Sequence, residues 1–213
     1  MSWDLDHHEG LPYRFVLPPG YDPRNRYPLV VYLHGSAERG DDTWSHLRNG
    51  VDRLEGKPLI AVAPQCPRDD TFGGSWYGGD SRTQQKVLSL VRALGQRQSV
   101  DPKRVSLIGF SMGAIGLWSM LERARSLFSA AVPIAGDLDW ETAKPLADFP
   151  IWAFHGADDR LVRPDATRTL ARWMAQNGGV LRYTELPGVG HDSWRAAFDT
   201  AGLLSWLLAQ RAV

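Results

Sequence analysis

The chain has 213 residues, and its 24 lysine and arginine side chains are matched by 24 aspartates and glutamates. That length supports one domain with a sizeable core, and the balance of charge leaves no global field that favours nucleic acid or an acidic membrane. A single cysteine, Cys66, excludes an internal disulfide and a thiolate zinc site and fits a reducing compartment.

The first residues, Met1 to His8, are polar and acidic. They lack the basic and apolar regions of a signal peptide, so a cytoplasmic location is expected. His7 and His8 have no spaced partner ligand and read as a solvated terminus. No apolar stretch approaches the ~20 residues of a membrane span. From there the chain alternates between strand and helix patterns. Tyr13 to Leu17 alternates and stops at Pro18-Pro19-Gly20, as an early antiparallel edge strand would. Pro28 to Leu33 and Leu59 to Ala63 are continuous apolar runs of the kind buried inside a sheet. Ser81 to Arg97 places Val87, Leu88, Val91 and Leu94 on one helical face. A β-branched run, Arg104 to Ile108, is followed by a helix-like segment from Ala114 to Leu121. Strands are expected at Ser129 to Ile134, Ile151 to Phe154 and Leu181 to Leu186, and helices at Asp165 to Gln176 and Gly202 to Arg211. This order implies an α/β fold, a mostly parallel central sheet with helices on both faces. Ligands in such sheets bind beyond the carboxyl ends of the strands. The loops after Leu33, Phe110, Ile134, Phe154 and Leu186 are therefore where chemistry is expected.

One of those loops holds Gly109-Phe110-Ser111-Met112-Gly113. G-x-S-x-G between a strand and a helix is a nucleophile elbow. The turn is so tight that side chains two positions before and after the serine would collide, so both are glycine. The serine hydroxyl is pushed into solvent and the N–H of the next residue points to the same space. A serine nucleophile needs a base, and the base needs an orienting acid. Two histidines follow Ser111. His155 sits at a strand end, where it ties down its loop. His191 lies in a glycine-rich loop, Gly188 to Trp194, suited to a proton shuttle that must face both serine and leaving group. The acid belongs at the end of a preceding strand, which leaves Asp158, Asp159 and, one strand earlier, Asp137. Two oxyanion donors are needed. The N–H of Met112 is one. The N–H of Ser36, beside Gly35 in the loop after Leu33, is the other. Glu38 and Arg39 either brace that loop or bind a charged substrate. Of the nine tryptophans, Trp44, Trp76, Trp140 and Trp194 fall with Tyr77 in loops expected to wall the mouth, where they suit an aryl or acyl group.

The chain resembles the α/β-hydrolase superfamily. More narrowly, it is similar to the small serine esterases grouped as predicted peptidases or phospholipase/carboxylesterase-like proteins, with dienelactone hydrolases as relatives. Leu33 to Asp42, Val62 to Pro67, Val100 to Val105, Gly109 to Gly113, Ala131 to Ile134, Trp152 to Gly156 and Gly190 to Trp194 carry the resemblance. It implies an α/β-hydrolase fold over residues 1–213 with no large lid. It also implies hydrolysis of carboxylic esters through an acyl-serine, on short-chain acyl or aryl esters, hydroxycinnamate esters among them. Within it, the spacing His-Gly-x-x-Asp-x-x-Val selects Asp159 as the acid. No metal or organic cofactor is implied, and the partner expected is a small-molecule ester substrate, with no nucleic acid and no membrane span. Two departures stand out. Ala114 and Ile115 replace a glycine and an aromatic after the elbow, and serine replaces the cysteine nucleophile of dienelactone hydrolases. The alternatives are a serine peptidase or acyltransferase on the same triad, and a non-catalytic binding module.

Overall fold

The computed structural model describes residues 3–68, 75–77, 81–97, 99–138 and 140–212. Strands β1 (Asp4–His8), β2 (Leu11–Val16), β3 (Tyr27–Leu33), β4 (Ile60–Pro64), β5 (Val100–Phe110), β6 (Ala130–Ile134), β7 (Trp152–Gly156) and β8 (Arg182–Leu186) form one sheet. Their spatial order is β1-β2-β4-β3-β5-β6-β7-β8. The β1–β2 and β2–β4 pairs are antiparallel, and the other pairs are parallel.

The parallel strands are apolar on both faces because both faces are covered. In β3, Leu29, Val31 and Leu33 point into one core and Val30 and Tyr32 into the other. Helices α1 (Arg82–Gly95), α2 (Met112–Ala124), α3 (Trp140–Ala143) and α4 (Asp165–Gln176) close the first core through residues such as Val87, Leu117, Ala143 and Leu170. Helices α5 (Trp194–Phe198) and α6 (Leu203–Ala209), with the single turn Val51–Leu54, close the second through Trp194, Leu207 and Val51. The start of α1 is fixed by Ser81, whose Oγ accepts the Gln84 N–H at 3.1 Å.

From β3 the chain passes to β4 on one side, and it later returns to β5 on the other side of β3. The loops leaving β3 and β5 therefore diverge and open a crevice at the carboxyl end of the sheet. Among the described residues no helix is long and apolar enough to cross a membrane.

The first antiparallel strand is not at the edge. It runs Leu11–Val16 and lies second, with β1 outside it. His7 and His8 thus belong to a strand rather than a loose terminus, and His8 Nε2 lies 2.9 Å from Ser89 Oγ. The α6 helix is shorter than expected. Gly202, at φ +84°, precedes it, and Gln210 is extended after it.

Candidate active site

Ser111 joins β5 to α2 at φ 53° and ψ −117°, a strained conformation for a residue with a side chain. The backbone around it enforces the turn. The Ser111 N–H donates to the Ile134 carbonyl at 2.9 Å, and the Ser111 carbonyl accepts from Ala114 and Ile115 N–H groups at 2.9 and 3.1 Å. A Cβ at Gly109 would strike the backbone of Gly113, and one at Gly113 would strike the Leu33 carbonyl at the end of β3. The elbow glycines are thus required by contact with each other and with the neighbouring strand. Ala114 is accommodated by Gly136, whose missing side chain leaves room for the Ala114 methyl.

His191 Nε2 lies 2.9 Å from Ser111 Oγ, and His191 Nδ1 lies 2.7 Å from Asp159 Oδ2. The ionised carboxylate only accepts, so Nδ1 carries the proton and Nε2 is left to accept from the serine hydroxyl. The other Asp159 oxygen accepts the Leu161 and Val162 N–H groups at 2.9 and 3.0 Å. Burial pushes the Asp159 carboxyl up, but the hydrogen bonds from His191, Val162 and Leu161 outweigh it and hold the group below its ordinary range. Asp158 gives its N–H to the Val189 carbonyl while its side chain is exposed. Asp137 is also exposed and accepts the Leu138 N–H. Neither carboxylate reaches His191.

The loop that presents His191 is seated on the end of β7. A Cβ at Gly156 would collide with the carbonyls of Val189 and Gly190. His155 lies below, fully buried. Its Nε2 donates to the Val162 carbonyl at 2.9 Å, which leaves Nδ1 to accept from the Thr167 hydroxyl at 3.1 Å. It braces the Asp159 loop.

Met112 is the first residue of α2 and Ser36 the first of the single turn Ser36–Glu38. N–H groups at such starts have no partner within their own helix. The loop bearing Ser36 is organised by His34. Its Nε2 accepts the Cys66 N–H at 2.9 Å, so its Nδ1 donates to the Gly35 carbonyl at 2.6 Å. Burial pushes the His34 imidazole down to about 3, which keeps it neutral. Glu38 curls back over the same turn. Burial pushes its carboxyl up, against hydrogen bonds from Asn49 and from the backbone of Glu38 and Gly35. Arg39 donates to the Ser36 carbonyl at 3.3 Å. These contacts are those of a braced loop. The Cys66 thiol is buried and pushed up to about 12, which leaves it unreactive.

The aromatic residues separate. Trp44 and Tyr77 are exposed, and Trp140 packs edge to face on Trp173. Trp194 is largely buried in the second core. Trp76 is not a wall of the mouth. It is fully buried, its indole N–H donates to the His34 carbonyl at 2.8 Å, and its Cβ fills the space left by Gly116 in α2. Gln65 carries a role with no sequence signal of its own. Buried in the loop after β4, it accepts the Thr43 N–H at 2.7 Å and donates toward the Glu38 carbonyl, Asp42 and Ser45. Among the described residues no group of three or more His, Cys, Asp or Glu side chains converges as a metal site would require.

The sheet, the elbow and the Ser111–His191–Asp159 relay are those of an α/β hydrolase. Residues 22–202 match the phospholipase/carboxylesterase family model, and the chain belongs to that family of ester hydrolases. A thermostable esterase of known crystal structure is 31% identical and superposes with a TM-score of 0.83, over 94% of this chain and 59% of that one. Feruloyl esterase B of Piromyces equi is 27% identical over 158 residues, 68% of this chain and 28% of that protein. Dipeptidyl-peptidase 5 of Porphyromonas gingivalis is 24% identical over 133 residues, 59% of this chain and 19% of that protein. The chain thus spans less than two thirds of the length of each of these relatives.

Proposed function

We propose that this protein hydrolyses carboxylic esters of short-chain acyl or aryl type, hydroxycinnamate esters included, through an acyl-serine intermediate. The observation that carries the proposal is the continuous relay from Asp159 through His191 to Ser111, at 2.7 and 2.9 Å. His191 Nε2 takes the Ser111 proton as Oγ bonds to the ester carbonyl carbon. The carbonyl oxygen gains the electron pair, and the N–H groups of Met112 and Ser36 hold it. Collapse breaks the bond to the alcohol oxygen, which leaves with the proton from His191. Water then attacks the acyl-serine, again giving a proton to Nε2, and Ser111 regains a proton when the acid departs. Asp159 remains ionised throughout and stabilises the imidazolium.

The family match and the likeness to the thermostable esterase support the reaction class, and the relation to feruloyl esterase B supports hydroxycinnamate esters as candidates. The dipeptidyl-peptidase relative makes amide cleavage the competing use of the same relay. A panel of p-nitrophenyl esters, methyl hydroxycinnamates and matching amides tests the assignment. Turnover of esters, with organophosphonate labelling at Ser111, is expected. Cleavage of amides alone would replace the esterase reading with a peptidase one.

A further inference from the structure

A groove of about 290 Å³ opens between the loop after β3 and helix α5, lined by Trp44, Arg48, Asp52, Arg53, Trp194 and Arg195. Nothing in the reaction described above uses these side chains. We infer that this groove is a substrate subsite for the part of the ester remote from the scissile bond, and that it takes a flat ring bearing an anionic group such as a carboxylate. The inference rests on the hydrolase reading of Ser111, His191 and Asp159.

Its place comes first. One wall continues from the oxyanion loop, since Ser45 Oγ donates to the Glu38 carbonyl at 3.1 Å. The other wall is Trp194, three residues after His191. The two walls are locked together at Gly50, which sits at φ +88° with no room for a Cβ against the rings of Trp194 and Phe198. Both walls of the groove are thus tied to the loops that carry the reacting groups, the Ser36–Glu38 turn on one side and the His191 loop on the other.

Trp44 is a built platform. Half of it is exposed, at 50%, although burying an indole is worth a few kcal/mol. It does not fold away because the loop is fixed. Asp42 Oδ1 accepts the Trp44 and Ser45 N–H groups, both at 2.8 Å, and Thr43 is held at φ 60° with its N–H on Gln65. Arg14 covers one face of the indole, its guanidinium carbon 3.6 Å from the ring centroid. Arg14 is in turn fixed by the Trp3 and Thr43 carbonyls and the Thr43 hydroxyl. Such a rigid aromatic surface suits stacking of a flat ring at little entropic cost.

The charge selects the ring. Three guanidinium groups, from Arg48, Arg53 and Arg195, meet two carboxylates, Asp52 in the lining and Asp199 bonded to Arg53 at 2.8 Å. One positive charge is in excess. Arg195 is stacked over the Trp194 ring at 4.4 Å. The Arg48 guanidinium makes no hydrogen bond or ion pair among the described residues. It is the donor left for a planar anion, which a guanidinium binds through paired N–H groups.

Two matched pairs of esters test this, one for each side of the scissile bond. The first is methyl 4-carboxycinnamate against its 4-carbamoyl analogue, and the second is 4-carboxybenzyl acetate against 4-carbamoylbenzyl acetate. In at least one pair the carboxylate is expected to have a kcat/KM about ten-fold higher, the size of a charge-assisted contact. Arg48→Gln should erase that ratio, and Trp44→Ala should lower both members of the preferred pair together. p-Nitrophenyl acetate separates the two levels of the argument. If it is turned over and neither pair discriminates, or if Arg48→Gln keeps the full ratio, the subsite is overturned while the esterase reading stands. If p-nitrophenyl acetate and both pairs are inert, the hydrolase reading fails and the subsite falls with it.

Discussion

His191 Nδ1 lies 2.7 Å from Asp159 Oδ2, and this one contact determines which imidazole nitrogen faces Ser111. Asp159 is almost wholly enclosed and spends its second oxygen on two backbone N–H groups of its own loop. It has no freedom to offer a different atom to the ring. In the proposed mechanism the chemistry therefore depends on a carboxylate that never meets the substrate.

Replacing that carboxylate tests the point. Asp159→Asn is expected to lower kcat roughly ten-thousandfold, because the amide can donate to Nδ1 and favour the wrong tautomer. Asp158→Asn and Asp137→Asn should stay near wild type, since neither side chain reaches His191. Steady-state kinetics on p-nitrophenyl acetate decides it. A crippled Asp137→Asn beside an active Asp159→Asn would reassign the acid.

Ser111→Ala should cost about a millionfold in kcat while the fold persists. The strained backbone adds a second expectation. At φ 53° a glycine relaxes what any Cβ strains. Ser111→Gly should therefore melt at a higher temperature than Ser111→Ala, by about 1 kcal/mol in stability. Calorimetry of the two variants reads the difference. Equal melting temperatures would mean that the elbow stores no strain.

Gly156→Ala probes the seat of the histidine loop. The added methyl must displace the Val189 and Gly190 carbonyls, and His191 follows directly in the chain. A shift of about an ångström at the base costs on the order of a hundredfold in kcat/KM, and the overpacking costs about 1–3 kcal/mol. Kinetics and thermal unfolding of the same sample should show both losses. Wild-type kcat/KM in a folded Gly156→Ala protein would show that the loop is placed by something else.

Much of the candidate site is legible in the chain because the determinants of its geometry are local. Gly109 and Gly113 encode the steric demand of the elbow, and continuous apolar runs mark the buried strands whose ends carry Ser111 and the loops of Asp159 and His191. What was hidden depends on distant partners. Asp4–His8 pairs only on one side and is exposed on both faces, so no apolar alternation marks it as a strand. Trp76 lies in a loop, where no periodicity separates buried from exposed. Its burial is decided by Gly116 and the His34 carbonyl, both about forty residues away. Helices α3 and α5 have 4 and 5 residues, too few for a helical period to register.

Acid should weaken the fold before it titrates the carboxylates that support the site. His34 and His46 are fully buried, and burial pushes their imidazoles down to about 3 and about 4. In the unfolded chain both return to about 6.5. Between those values the unfolded state binds protons that the folded state refuses, so stability falls as pH falls from about 6.5 toward 4. Near pH 5 the two groups together contribute a slope of about 2.5 kcal/mol per pH unit. Glu38 opposes part of this, because burial raises its carboxyl and the folded state takes up its proton first. Asp159 and Asp42, both held low by hydrogen bonds, add their loss only at more acid pH. His46 separates these contributions, since burial sets its neutrality and, among the described residues, the Ala63 backbone is the one polar group that opposes it by hydrogen bonding. An apolar ring of similar size there fills the same space and gives up only that contact. His46→Phe should therefore flatten the stability profile between pH 7 and pH 5 by about one proton. Urea titrations at pH 7, 6 and 5 measure it. A wild-type slope in His46→Phe would show that this histidine does not stay neutral in the folded protein.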